Sequence, residues 1–143
     1  AGSSSRGIEY LGVRQLSEVL DLMRQAEFLL FPSEWYETMG RTIMEAFAVG
    51  TPVVASKLGP PASMVVHGTN GYHFEPGNVA QLRDRVEWCS RNLAEVRSLR
   101  TNARRAFEIE YSGPANLEKL INIYREARQS SPSRKAQTSV AQP

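Results

Sequence analysis

Residues 27–56 read EFLLFPSEWYETMGRTIMEAFAVGTPVVAS, and their pattern decides the expected fold. The apolar run EFLLFP, closed by Pro32, predicts a strand buried on both faces. The segment GRTIMEAFAVG predicts a buried helix that ends at Gly50, and TPVVAS predicts a second buried strand with Pro52 at its start. A strand, a helix and a strand joined by short connections predict a parallel sheet covered by helices.

The segments on either side continue this alternation. Upstream, IEYLG predicts a short strand over Ile8–Gly12, and the apolar spacing of QLSEVLDLMRQA predicts an amphipathic helix. Downstream, the GPP of residues 59–61 predicts a first helical turn, and the Asn-Gly turn in HGTNGYHF precedes a short edge strand. Three helices are then expected, from NVAQLRDRVEWCSRNL, AEVRSLRTNARRAFEIEY and PANLEKLINIYREARQ. The last of them carries an apolar stripe of Leu117, Leu120, Ile121 and Tyr124.

The expected fold class is therefore α/β, a Rossmann-like parallel sheet with helices on both faces and further helices at the C-terminus. We expect a disordered lead over residues 1–7, one folded domain over 8–129, and a disordered tail over 130–143, where apolar residues are too few to pack. Three strands and a short fourth are fewer than the roughly five or six of a complete doubly wound sheet. The chain is thus expected to begin inside a larger sheet.

Composition argues against several classes of protein. The 41% hydrophobic and 22% charged residues are typical of a globular domain, and no apolar run reaches the ~20 residues of a membrane span. A single cysteine, Cys89, excludes an internal disulfide, fits a reducing cytoplasmic location, and is expected to serve in packing. His67 and His73 lack a cluster of other ligands, so no metal site is expected. No Gly-x-Gly-x-x-Gly follows a strand, which argues against a nicotinamide-binding domain.

Charge is unevenly divided along the chain. Residues 1–80 hold five Lys/Arg and eight Asp/Glu, a net charge of −3, and residues 81–143 hold twelve and seven, a net charge of +5. The arginines of the C-terminal half are Arg83, Arg85, Arg91, Arg97, Arg100, Arg104 and Arg105, followed by others near the end. They indicate solvated helix surfaces, with peripheral contact to an anionic membrane as the alternative; no nucleic-acid partner is expected.

Two acidic residues, Glu37 and Glu45, stand out in the apolar stretch. The loop before the helix lies at the carboxyl end of a strand, where open α/β sheets bind ligands. A helix that starts near Met39 or Gly40 presents free N–H groups and a positive dipole end to an anion, and Gly40 lets a ligand approach the backbone. Glu37 lies at this mouth, and Glu45 follows two turns later, up to ~12 Å away if the whole stretch is helical.

Glu45 has apolar neighbours in the sequence, so its carboxylate needs a hydrogen-bonding partner. A vicinal diol suits it because two hydroxyls can donate to two carboxylate oxygens; a salt bridge to an arginine, or a cap on a neighbouring loop, is the alternative. Arg41 is a cation near a helix start, which is unfavourable unless an anion lies close, and this makes it a candidate phosphate contact. Lys57 is either a second phosphate contact or a plain surface lysine.

About residues 8–125 resemble the C-terminal domain of the group 1 retaining glycosyltransferases, which have the two-domain GT-B fold. The family signature places Pro-Ser after a strand, then two glutamates eight positions apart, then Gly-x-Pro-Val, and FPSEWYETMGRTIMEAFAVGTPVVAS matches it. Gly59, the Asn-Gly pair at 70–71, FEPG at 74–77 and FEIEYS at 107–112 follow in the family's order.

The resemblance implies a donor site for a nucleotide-sugar, UDP- or GDP-linked, with no metal or other cofactor. In the family, the residue matching Glu37 lies against the donor sugar and the reacting centre, and the residue matching Glu45 binds the ribose hydroxyls. The other implied binding positions are Gly12 and Val13 beside the base, and the backbone amides of Thr38, Met39 and Gly40 beside the sugar and phosphates. The implied activity is cytoplasmic hexosyl transfer, with retained configuration, to an acceptor sugar or a lipid-linked acceptor.

The chain departs from the family pattern in several places. Residues 38–40, TMG, replace the common Gly-Phe-Gly, and Ala62-Ser63 replaces the usual Pro-Glu, so the role of that acidic residue is not carried over. The family's pyrophosphate-binding basic residues and its N-terminal acceptor domain lie upstream of the matched part. We therefore expect a fragment or a degenerate copy that is inactive alone. A non-catalytic nucleotide-sugar-binding or regulatory module is the alternative.

Overall fold

The computed structural model describes residues 7–130, and most of the expected lead and tail, residues 1–6 and 131–143, lies outside them. The elements are α1 (Leu16–Gln25), β1 (Leu29–Phe31), α2 (Arg41–Ala48), β2 (Val53–Ser56), α3 (Gly59–Met64), β3 (Gly71–Phe74), α4 (Val79–Arg91), α5 (Leu93–Ser98), α6 (Arg100–Ala106) and α7 (Gly113–Ser130). A π-helical turn, Phe107–Tyr111, joins α6 to α7.

The three strands form a parallel sheet in the order β1-β2-β3. β2 lies at the centre, and all four of its residues are buried. One face of the sheet packs against a core built from α1, α2, α3 and α6, and the other face packs against α4 and α5. This arrangement confirms the predicted α/β class with a parallel sheet and helices on both faces.

Two strand predictions are wrong. Among the described residues, 8–12 form no strand: Ile8 makes only an isolated bridge, and Ile8 and Tyr10 expose 71% and 70% of their surface. So short a segment needs a neighbouring strand, and none of β1, β2 and β3 has it as a partner in the three-stranded sheet. β1 is also not buried on both faces, because it is an edge strand of this sheet and its Leu30 remains 40% exposed.

The helix expected over residues 94–111 is divided into α5, α6 and the π-helical turn. The division has a packing reason. Val96 and Leu99 contribute to the core beneath α4, whereas Ala103 contributes to the core beneath α2. The chain therefore reaches both cores within a few residues, and the break between α5 and α6 falls at Leu99, between the two.

The last helix, α7, is longer than expected by a residue at each end, and its predicted apolar stripe is present but uncovered. Leu117, Leu120, Ile121 and Tyr124 are each between 39% and 65% exposed. Among the described elements, α7 packs mainly on the π-helical turn.

Most of the C-terminal arginines have partners within the chain. Arg97 pairs with Glu27, Arg91 pairs with Glu87, and Arg85 lies over the Tyr72 ring at 5.3 Å. These contacts support the interpretation of the basic half as solvated helix surface. As for the helices that the structure describes, none combines the length and the apolar character needed to cross a bilayer.

Cys89 is fully buried on α4, and burial raises the pKa of its thiol. A thiol with a raised pKa carries little thiolate and is unreactive. Its contacts in the core beneath α4 agree with the predicted packing role.

Candidate functional site

β1 and β2 end side by side, because their parallel register places Phe31 opposite Ala55. The connection that leaves β1, residues 32–40, therefore begins at the carboxyl edge of the sheet, beside the connection that leaves β2. Lys57 lies at this edge too; its side chain is exposed and its backbone N–H donates to Phe74 at 2.9 Å. Ligands of open α/β sheets bind at this kind of edge.

Glu37 is held in place by a serine that follows β1. The Ser33 hydroxyl donates to Glu37 Oε1 at 3.0 Å and accepts from the Trp35 N–H at 3.3 Å. The Ser56 hydroxyl, at the end of β2, donates to the Ser33 carbonyl. Ser33 thus connects the Glu37 carboxylate to the end of β2 through hydrogen bonds, and it follows the end of β1 in the chain.

Thr38 and Met39 lie in the exposed loop before α2, and Gly40 is its N-cap. The helix begins at Arg41, so residues 37–40 are not helical and the ~12 Å spacing expected for a fully helical stretch does not apply. Gly40 is buried, and an added Cβ would lie 2.7 Å from the Met64 sulfur. Close packing on α3 is a reason for this glycine that the sequence does not reveal.

Tyr36 lies against the start of α3. A Cβ at Gly59 would come within 3.2 Å of the Tyr36 ring, and Gly59 has a φ of +57°, a conformation that favours glycine. Gly59 therefore lets the loop that carries Glu37 pass close to the connection after β2. The sequence offers the glycine, but only the structure shows its contact.

Glu45 is 23% exposed and forms an ion pair with Arg41, four residues earlier on α2. Arg41 Nε donates to Glu45 Oε1 at 2.9 Å, and the arginine side chain is 73% exposed. Of the alternatives that the sequence leaves open, this structure contains the salt bridge. The partner is an exposed arginine at the rim of the domain rather than one buried inside it.

Gly12 and Val13 lie in the loop before α1. Val13 is fully exposed, and no atom of residues 7–130 lies within 4 Å of a Cβ built on Gly12. Among the described residues, no hydrogen bond joins this loop to Glu37 or Glu45, so the role of Gly12 and Val13 beside a base stays a prediction.

A cavity of about 630 Å³ lies at the other end of α2, away from these residues. Its lining comprises Val49, Gly50, Arg100, Thr101, Arg104, Arg105, Glu108 and Ile109. None of the predicted site residues lines it. The candidate site is instead an open edge of the sheet.

Comparison with known proteins points to one family. Residues 5–106 match the model of the family described as glycosyl transferases group 1. The chain is 30% identical over 114 residues to glycosyltransferase MJ1178 of Methanocaldococcus jannaschii, covering 80% of this chain and 31% of that protein. It is 29% identical over 93 residues to sucrose synthase of Solanum tuberosum, covering 62% of this chain and 12% of that protein.

Solved structures agree with the family match. HepE of Anabaena, in complex with UDP-glucose, has a TM-score of 0.74 at 25% identity, over 85% of this chain and 33% of that one. The same protein with UDP and glucose gives a TM-score of 0.75. The chain thus spans a third or less of the length of these relatives.

Proposed function

The chain belongs to the group 1 glycosyltransferases, and we propose that it forms the donor-binding part of an enzyme that transfers a hexosyl group with retention of configuration. The donor is a nucleotide-sugar, and UDP is favoured over GDP because the similar HepE structures contain UDP and UDP-glucose. The family membership and the placement of two glutamates support this proposal.

The observation that carries it is that Glu37 lies in the loop that starts at the edge where β1 and β2 end, and Glu45 lies on α2, the helix that directly follows this loop. Glu37 is oriented by Ser33, and Glu45 has a partly exposed side chain that is paired with Arg41. We assign the ribose diol to Glu45, where two hydroxyls donate to the carboxylate, and the sugar to the neighbourhood of Glu37.

The chemistry then depends on electrostatics around the departing diphosphate. The first-turn N–H groups of α2, the loop amides of Thr38, Met39 and Gly40, and the guanidinium of Arg41 offset its negative charge, with no metal. Glu37 positions the donor and stabilises positive charge that develops at the anomeric carbon. Gly12 and Val13 flank the base.

The acceptor site belongs, in this proposal, to a second domain that the matched part does not include, so the isolated chain is inactive in transfer. The acceptor is a sugar or a lipid-linked sugar reached in the cytoplasm, with peripheral contact to the membrane. The basic C-terminal half would face the membrane in this contact, although most of its arginines are engaged within the chain.

Titration calorimetry of this chain with UDP, GDP and ADP tests the donor assignment. We expect UDP to bind best and Glu45→Ala to weaken its binding by about tenfold or more, the loss of hydrogen bonds to a charged group. Glu87→Ala is the matched control, because Glu87 also pairs with an arginine four residues earlier but lies on α4. Equal binding of UDP by the Glu45→Ala variant and the wild type would remove the ribose assignment.

A further inference from the structure

One oxygen of the Glu45 carboxylate, to which we assign the ribose, already accepts a hydrogen bond from Arg41 in this structure. Arg41 Nε is 2.9 Å from Glu45 Oε1, and the Glu45 side chain is 23% exposed. Oε2 remains open to a donor, but a diol that donates to both oxygens of Glu45 must share Oε1 with the guanidinium or displace it. Arg41 therefore competes with the ligand for Glu45.

The pair is arranged so that it opens readily. Arg41 is the first residue of α2, where a positive charge is opposed by the helix dipole, and it precedes Glu45 by four residues, which is the weaker order for a helical ion pair. No acidic residue lies in the first turn of α2 to offset the arginine. The position of Arg41 thus favours an incoming anion.

We infer that Arg41 exchanges partners when the donor binds: it leaves Glu45 and pairs with the nucleotide's diphosphate, while the ribose hydroxyls take its place on Glu45. This inference rests on the proposed function. Each charge keeps a partner in both states. Without ligand, the arginine neutralises the carboxylate; with a nucleoside diphosphate, the carboxylate accepts from two hydroxyls and the arginine meets the phosphate.

The exchange makes Arg41 a specificity residue. A nucleoside without phosphate displaces Arg41 from Glu45 and provides no anion to pair with it. A nucleoside diphosphate displaces Arg41 too, but its phosphates become the new partner of the arginine. The site therefore discriminates against nucleosides by more than the phosphate contact alone. Removal of the arginine is expected to help nucleosides and harm nucleoside diphosphates, two effects of opposite sign.

Calorimetry or ligand-observed NMR with uridine and UDP tests the exchange on the wild type, Arg41→Gln and Arg41→Lys. For Arg41→Gln we expect uridine to bind more tightly by about twofold, the release of a weak ion pair, and UDP to bind about tenfold more weakly. Arg41→Lys keeps the charge and should retain most of the preference for UDP. Arg83→Gln is the matched control, since Arg83 also precedes a glutamate by four residues but lies on α4.

The outcomes distinguish a failure of the proposed exchange from a failure of the proposed function. An Arg41→Gln variant that binds uridine and UDP with the same affinity ratio as the wild type would overturn the exchange and leave the ribose assignment intact. A Glu45→Gln variant that binds both ligands like the wild type would overturn the proposed function, and the exchange with it. Melting temperatures of the variants, all at exposed or half-exposed positions, show whether each is folded.

Discussion

His67 lies before β3, and its ring accepts a hydrogen bond from that strand. The backbone N–H of His73 donates to His67 Nδ1 at 3.1 Å, so Nδ1 must be unprotonated. His67 is exposed as a whole, but partial desolvation of its ring above all, with Arg85 and Lys57 nearby, lowers its pKa. Burial likewise lowers the pKa of His73, whose buried Nε2 has no hydrogen-bond partner among residues 7–130. Both rings therefore bind a proton less readily in the folded chain than in the unfolded chain.

Stability should consequently fall in mild acid. The folded state binds fewer protons than the unfolded chain, so this contribution is present above the unfolded pKa of about 6.5 and is lost as the pH falls below it. We expect the urea midpoint to decrease between about pH 7.5 and about pH 5.5, and to decrease less in His67→Asn, whose amide oxygen accepts the same N–H without titrating. Identical pH profiles for the two proteins would contradict this role.

Single residues differ in how far the sequence predicts them. The spacing of Glu37 and Glu45 is visible because it repeats a family signature within nine residues. The hydrogen bond from the Ser56 hydroxyl to the Ser33 carbonyl is not visible in the sequence, because the two residues are 23 positions apart. Gly71 is predicted as part of a turn, but a Cβ there would lie 2.0 Å from the Val53 oxygen, so the close approach of β3 to β2 also requires glycine.

At the scale of elements, α6 caps two other helices. Arg100 donates to the carbonyls of Ala26 at 2.8 Å and Arg24 at 2.7 Å, at the end of α1. Arg104 donates to the carbonyl of Ala48, the last residue of α2, and to Glu108 at 2.7 Å. The cations thus satisfy terminal carbonyls and offset the negative ends of two helix dipoles. α2, which carries Glu45, is anchored from its far end.

We therefore expect Arg104→Gln to lower the free energy of unfolding by about 1 kcal/mol, the value of a cap of this kind. Arg105→Gln, the adjacent exposed arginine, serves as the control and should change it by less than about 0.5 kcal/mol. Chemical denaturation of both variants provides the measurement. Equal stability of the two would show that the contact with Ala48 contributes nothing.

The sequence predicts those elements whose buried apolar residues recur at regular spacing. α1, α2 and β2 follow from apolar spacing and from Gly50, which ends α2 with a φ of +75°. The partial exposure of β1 could not be predicted, because an apolar run does not say which neighbour covers Leu30. The division of α5 from α6 depends on which core each turn reaches, and that is a property of the folded chain.

At the scale of the whole molecule, the described residues form a sheet between two cores, with α7 packed mainly on the π-helical turn. The alternation of strands and helices predicts this architecture, whereas the number of strands depends on pairing that sequence patterns do not reveal. The domain limits expected at residues 8 and 129 stay predictions. The candidate site lies at the carboxyl edge of the sheet, and Arg104 of α6 contacts the opposite end of α2.

The central claim is that Glu45 binds the ribose diol, and a comparison of UDP with 2'-deoxyuridine diphosphate tests it most directly. Titration of the wild type and of Glu45→Gln with both ligands forms a cycle that isolates the contact between the carboxylate and the 2'-hydroxyl. We predict that the wild type prefers UDP by about tenfold and that Glu45→Gln loses most of this preference. Equal binding of both ligands by the wild type, or an undiminished preference in Glu45→Gln, would contradict the assignment.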